Sequence, residues 1–387
     1  MKLEGIRVLD LSLFLPGPLL TQMMADHGAE VIKLEPINGG EPNREIGARR
    51  ADGVTVYFQN THRGKKSVQL NLKTEAGVEA LLKLAETADV MIEAFRPGVV
   101  KRLGVDAETV RARNPRLVYC SISAFGQDGP YVKRPAHDLA TEALAGVLSC
   151  NVGPDGSPAI PGIANADMLS ATMGLSAVLM ALLRRTQTGQ GDTIDLAMMD
   201  SLTAAMPNLL GTVFAEKKMP VVKQERTWGG NAMYNIYETS DGKHVVLGGA
   251  EMHFARAILT KLGRPDLIAA CEPPPGPTQQ PAIDYLRETF RTKTQAEWVA
   301  WFDDVDAAFA PVNDLRQACD DPQLRHRGMI FEDDQGYEHV GVPMKFAEEP
   351  GRANVALPAL SEHTEPLLRE LGYSDDDLAA MRADGVF

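Results

Sequence analysis

The sequence predicts an α/β protein: a parallel sheet with helices on both faces, followed by a smaller α+β unit. Three observations carry this. Apolar β runs alternate with helical patterns from Ile6 to about Val213, the arrangement that builds parallel sheets. At 387 residues the chain exceeds what one ordinary core supports, so two domains are expected. The character of the chain then changes after Glu216, where Lys217 to Arg226 mixes charges, apolar residues and a proline in the manner of a linker.

Taken in order, Ile6–Ser12 reads as a strand, Gly17–His27 as a helix ending at Gly28, and Glu30–Glu35 as the next strand. The turn between the first strand and helix is Leu13-Phe14-Leu15-Pro16-Gly17-Pro18. It lacks the G-x-G-x-x-G spacing, so an ordinary NAD site is not expected. Strands follow at Ser67–Leu72, Asp89–Ala94 and Leu117–Ala124, with an amphipathic helix at Glu75–Thr87. Helices are expected near Asp138–Cys150, Met168–Arg185 and Asp200–Val213, with a strand near Thr193–Leu196. Tyr234–Thr239 and Val245–Leu247 around Asp241-Gly242 make a hairpin signal. Helices come next near Glu251–Leu262, Ile283–Arg291 and Gln295–Phe302. The tail shows strand-like runs near Met329–Phe331 and His339–Val342, then helices near Glu362–Leu371 and Asp375–Ala383. The expected division is a large domain of residues 1–223, completed by 329–387, and a small domain of 224–328.

The hydrophobic fraction of 44% and charged fraction of 24% are those of a soluble globular enzyme. No continuous apolar run of membrane-spanning length and no basic, cleavable leader is evident, so neither a membrane nor export is expected. Cys120, Cys150, Cys271 and Cys319 form no close pair. No metal knuckle or redox motif is indicated, and a reduced, cytoplasmic setting is expected. A formal net charge of −13 disfavours nucleic acid. A polyanionic small ligand would need local cations, and two clusters offer them. These are His62-Arg63-Gly64-Lys65-Lys66 and the group of Arg96, Lys101 and Arg102, with Phe95 beside Arg96 able to stack on a flat base.

The stretch from Arg134 to Leu183 carries the chemistry. Asp167 precedes an apolar run of about four turns that ends on Arg184-Arg185, which reads as a largely buried helix with an acid at its positive end. In the plainest reading Asp167 is an N-cap. In the sharper one it is a carboxylate kept ionised by the helix terminus, able to act as base or nucleophile. His137, upstream where a loop enters a helix, is its candidate partner. Glu251 follows Gly248-Gly249 at another expected helix start, where dipole compensation alone would account for it.

With these motifs in order, the chain resembles the family III CoA-transferases, the group that includes alpha-methylacyl-CoA racemases. The resemblance runs through Gly5–Ser12, Asp26–Glu35, Glu93–Gly98, Arg113–Tyr119, Ser123–Pro130 and Glu362-His363-Thr364. It implies a Rossmann-like large domain, a small domain, an interlocked homodimer, and coenzyme A as part of the substrate with no permanently bound cofactor. It also implies that Lys33, Arg96 and Arg102 contact coenzyme A.

The family has two chemistries. A CoA transferase needs one carboxylate nucleophile, which passes through an acyl anhydride and an enzyme–CoA thioester, and Asp167 matches that aspartate. A racemase removes the proton alpha to the thioester carbonyl from one face and returns one to the other. It uses a histidine backed by a glutamate, together with the same aspartate. His137 in Ala-His-Asp and Glu251 in Gly-Gly-Ala-Glu match those positions, so a racemase acting on a 2-methylacyl-CoA is expected, with a CoA transferase as the alternative. Two positions depart from the racemase pattern: Ile163 stands where it has asparagine, and Ala140-Thr141 where it has Asn-Tyr. A non-catalytic CoA-binding subunit is disfavoured because Asp167 is present.

Overall fold

The computed structural model describes residues 1–153 and 155–387. Six parallel strands form the main sheet: β1 (Arg7–Asp10), β2 (Glu30–Glu35), β3 (Lys66–Gln69), β4 (Val90–Glu93), β5 (Val118–Ser123) and β6 (Thr193–Ala197). Their order is β3-β2-β1-β4-β5-β6, so the chain runs outward from β1, returns, and continues on its other side. Pairings such as Leu9 with Ile32 and Val8 with Val90 set the register. In such a sheet the crevice beyond the carboxyl ends of β1 and β4, where the order reverses, is the natural ligand site.

Period-two alternation gives the sheet two buried faces. Val8, Val31, Ile92, Val118 and Ile122 point to one side, under Leu20 and Met24 of α1 (Pro16–Asp26). Leu9, Ile32, Leu34, Met91 and Tyr119 point to the other. There they meet Leu81 and Leu84 of the helix Glu75–Glu86, and Leu367 and Leu368 of the helix Thr364–Glu370.

Two helices after β5 position the site. The stretch expected as one helix over 138–150 is broken into Asp138–Leu144 (here α2) and Val147–Cys150 by Gly146, whose φ of +86° stops the first segment. The long helix α3 spans Asn165–Thr188, starting earlier than expected, with Ala164 as its N-cap residue. It is not largely buried. Ala166, Ser170, Ala171, Gly174, Leu175, Val178, Leu182 and Arg185 make one buried stripe, while Met180 and Leu183 are 67% and 69% exposed. Gly174 lets α3 and α1 approach closely, since a Cβ there would sit 2.7 Å from Leu20 Cδ1. Among the described residues α3 is the one helix long and apolar enough to cross a membrane, but its buried stripe packs into the core beneath the sheet.

The chain divides into two compact units along other boundaries than those expected. Residues Met1–Leu148, Ile160–Met206 and Pro322–Phe387 form the first, and Ser149–Ala159 with Pro207–Asp321 form the second. One local tie accounts for part of the difference: Lys223 Nζ donates to Gly153 O, which links Ser149–Ala159 to the rest of the second unit. That unit has an antiparallel sheet of β7 (Tyr234–Glu238), β8 (His244–Gly248) and β9 (Phe309–Pro311), the last unforeseen in the sequence. Its core is aromatic, built on Tyr237, Phe290, Trp298 and Phe302.

Candidate active site

Two adjoining cavities open beyond the carboxyl ends of the parallel strands. The smaller, about 460 Å³, lies over β1, β2 and β3, between Leu34, Pro36, Ile37, Leu70 and Leu72. The larger, about 980 Å³, lies over β1, β4 and β5 and is walled in part by Phe14, Arg96, Arg134, His137 and Asp167. Leu13 and Phe95 belong to both and form the neck between them. Every wall residue belongs to the first unit.

Asp167 is half-buried as the third residue of α3, so it is not the N-cap. Its helix terminus is capped from α2 instead. Asp138 Oδ1 accepts the N–H groups of Ala166 at 2.8 Å and Asp167 at 3.2 Å, and Glu142 Oε1 accepts that of Asn165 at 3.0 Å. The expectation that the helix end keeps Asp167 ionised is thereby overturned. Burial, followed by the negative neighbours Asp138 and Glu142, pushes its carboxyl up to about 7. Glu142, itself fully buried, is raised by burial too. Asp167 is therefore poised between proton donor and anion near neutral pH.

His137 is the N-cap residue of α2, with extended backbone and an exposed ring. Its carbonyl accepts from the Thr141 backbone N–H and hydroxyl, which anchors the turn. The imidazole meets Phe14 edge-on, with centroids 6.0 Å apart and planes at 89°. His137 and Asp167 thus share one cavity. Glu251 is the N-cap residue of the helix Met252–Lys261 in the second unit and is not among the cavity's wall residues.

The coenzyme-contact residues separate into two groups. Phe95 stands in the neck, its N–H donated to buried Glu93 at 2.8 Å, and Arg96 lines the larger cavity. Burial pushes the Glu93 carboxyl up to about 7. Arg102 is exposed on the short helix Val99–Leu103, with its guanidinium near Gly98. Lys33 is a correction. Its side chain is 1% exposed, donates to the Ser12 carbonyl, and is ion-paired with Asp10 at 3.5 Å and Glu41 at 3.2 Å. So engaged, Lys33 lines neither cavity, and its contacts are internal to the fold. Although burial opposes it, the positive charge of Lys33 and Lys65 holds Asp10 well below the usual carboxylate range. Burial lowers Lys65 to about 8.

Sequence reasoning missed four residues at the site. Asp138 and Glu142 are an i, i+4 pair, legible in hindsight as one face of α2. Phe14 and Tyr57 gave no signal. The Tyr57 phenol is pushed up to about 12 by burial and then by the negative charges of Asp167 and Glu41.

A doubly wound sheet with a two-chambered crevice at its switch point, and an ionisable carboxyl and a histidine in the walls of one chamber, defines an α/β enzyme site. Residues 3–364 match CoA-transferase family III, and the chain belongs to that family. It is 29% identical to the mouse (Mus musculus) succinyl-CoA:glutarate CoA-transferase over 399 residues, covering 99% of this chain and 90% of the relative. It is 31% identical to the mouse alpha-methylacyl-CoA racemase over 402 residues, covering 100% and 97%. The crystal structure of a CAIB/BAIF family protein from Brucella suis has the same fold, with a TM-score of 0.83 and 29% identity, covering 95% of this chain and 99% of that one.

Proposed function

We propose that the protein is a CoA transferase that moves coenzyme A between carboxylic acids through Asp167. The observation that carries the reading is a half-buried carboxyl, raised to about 7, facing an apolar cavity large enough for an acyl thioester. Similarity to a succinyl-CoA:glutarate CoA-transferase along nearly the whole chain supports it. In this reading the Asp167 carboxylate attacks the donor thioester carbonyl, expelling CoA thiolate and forming a mixed anhydride. The thiolate then attacks the aspartyl carbonyl, releasing the donor acid as its carboxylate and leaving an aspartyl–CoA thioester. An acceptor carboxylate reverses both steps and departs as the new acyl-CoA, so no net proton changes hands. Phe95 stacks on the flat end of the coenzyme, while Arg96 and Arg102 hold its phosphates.

A racemase acting on a 2-methylacyl-CoA is the second reading, favoured by His137 in the same cavity and by similarity to a racemase. One experiment separates the two. The protein is given an acyl-CoA with a panel of free acids, then hydroxylamine, and separately a 2-methylacyl-CoA in D2O without acid. Transfer to an added acid, with a hydroxamate at Asp167, is expected. Deuterium at the alpha carbon with no transfer would establish the racemase instead.

We also propose a cytoplasmic homodimer. The exposed Ile160, Ile163, Met180 and Leu183 offer apolar surface for a second copy.

A further inference from the structure

Phe14 has φ of +65°, a left-handed backbone that bulky L-residues avoid. Burial does not compensate for it, since the residue is 39% exposed in the wall of the larger cavity. What holds the conformation lies behind it. The Phe14 N–H donates to Glu41 Oε1 at 2.9 Å, and the Phe14 carbonyl accepts from Asn43 Nδ2 at 2.5 Å. Glu41 and Asn43 are both fully buried. Glu41 is fixed in turn by Lys33 at 3.2 Å and by its own N–H to Glu35 Oε2 at 2.8 Å. Asn43 also reaches Thr61 Oγ1 at 3.3 Å and accepts the Thr55 hydroxyl on its carbonyl. Lys33 also donates to the carbonyl of Ser12, two residues before Phe14. A buried polar cluster thus grips the loop after β1 on both sides of one strained aromatic, whose ring lies edge-on to His137.

We propose that Glu41 and Asn43 are positioning residues that lock Phe14 in its left-handed conformation, so that its ring forms the acyl-selecting wall beside His137. The inference rests on the acyl-CoA reading above, but not on the choice between transfer and racemisation. A ring free to relax to negative φ would leave that wall, and the cavity would then accept larger acyl groups.

The test uses unreactive thioethers, S-propyl-CoA and S-hexyl-CoA, with binding measured by calorimetry on the full chain. The readout is the ratio of the two Kd values. Phe14→Gly removes the ring while tolerating the left-handed backbone. It is expected to shift the ratio about tenfold toward the longer chain, the scale of a lost steric wall. Asn43→Ala keeps the ring and removes one grip, and should shift the ratio in the same direction by a similar factor. Adding Asn43→Ala to Phe14→Gly should change nothing more, since glycine needs no lock. Glu41→Ala, which removes the acceptor of the Phe14 N–H, should shift the ratio in the same direction, and a wild-type ratio there would remove Glu41 from the lock. If Asn43→Ala fails to fold, Asn43→Asp, which keeps the shape but loses the donor, is read by the same ratio. A wild-type ratio in Phe14→Gly overturns the wall. A wild-type ratio in the Asn43 variant, or equal further shifts in both backgrounds, overturns the lock. If the wild-type protein bound neither thioether, the acyl-CoA reading would fall, and this inference with it.

Discussion

Replacing Asp167 by asparagine should stabilise the protein while disabling it, and the size of the first effect follows from the site. Burial and two acidic neighbours raise this carboxyl from the ordinary carboxylate range to about 7. Each tenfold change in proton affinity is worth about 1.4 kcal/mol, so the ionised form is penalised in the fold by at most about 4 kcal/mol. Water in an open cavity screens part of this, leaving about 1–3 kcal/mol. The sign is that of a raised acid: between the ordinary carboxylate range and about pH 7 the folded state holds more protons than the unfolded one, so stability falls as pH rises. Asparagine is nearly isosteric and carries no charge to desolvate, and its amide can donate toward Asp138 or Glu142. Melting curves of wild type and Asp167→Asn at pH 8 should differ by a few degrees in favour of the variant, with the gap closing as pH falls toward 4. Turnover should drop at least about 10²–10⁴-fold, with folding and coenzyme affinity kept. A variant no more stable than wild type at pH 8 would refute the desolvation argument. A near-wild-type rate would reduce Asp167 to a first-turn helix residue.

The other expectations are brief. Wild-type turnover at subsaturating substrate should rise with pH through about 7 as Asp167 ionises, and a profile flat from pH 5.5 to 8.5 would contradict that carboxyl's role as nucleophile. Arg96→Ala and Arg102→Ala should each weaken coenzyme A binding, more at low salt than at high; unchanged affinities by calorimetry would remove these contacts. His137→Ala should leave hydroxylamine trapping at Asp167 intact under the transferase reading. If the variant instead loses alpha-proton exchange from one face that wild type shows, the racemase reading gains.

Much of the architecture was legible because it is local. The second strand, Glu30–Glu35, and the helices Gln295–Phe302 and Asp375–Ala383 fall where the sequence put them, each marked by periodicity and flanking turn residues. The failures share a non-local cause. The long helix Asn165–Thr188 is apolar nearly all round, so nothing in its sequence tells the stripe under the sheet from the exposed Met180 and Leu183. Lys33 lies in a strand whose end faces the crevice, and its sequence could not reveal the buried carboxylates of Asp10 and Glu41 that claim it. Asp167 carries every local sign of a cap. That role falls to Asp138 and Glu142, on another helix. The positive φ of Phe14 had no advertisement, because a left-handed residue is usually announced by glycine or asparagine.

The capping arrangement links this legibility gap to the chemistry. Had Asp167 received the free N–H groups of its own helix, they would have stabilised its anion, giving an acidic group and a weak nucleophile. Asp138 and Glu142 take those donors, and burial, with the negative charge of these two neighbours added to it, makes Asp167 more basic. A more basic carboxylate attacks a thioester carbonyl faster and abstracts an alpha proton more readily, so the same tuning serves both family chemistries. What decides between them is the second reactant. Proton return needs an acid fixed on the opposite face of the alpha carbon. In the racemase reading that role goes to His137, whose ring is exposed and whose aromatic neighbour is Phe14. Transfer needs only space for a second carboxylate beside an aspartyl thioester, together with a cation to receive it. The larger cavity supplies the space, and Arg134, in its wall alongside Arg96, supplies a guanidinium beyond the one assigned to coenzyme A. Under the transferase proposal, Arg134 is the group in these walls that would receive the acceptor carboxylate, and Arg134→Ala should raise the KM for the acceptor acid more than that for the acyl-CoA.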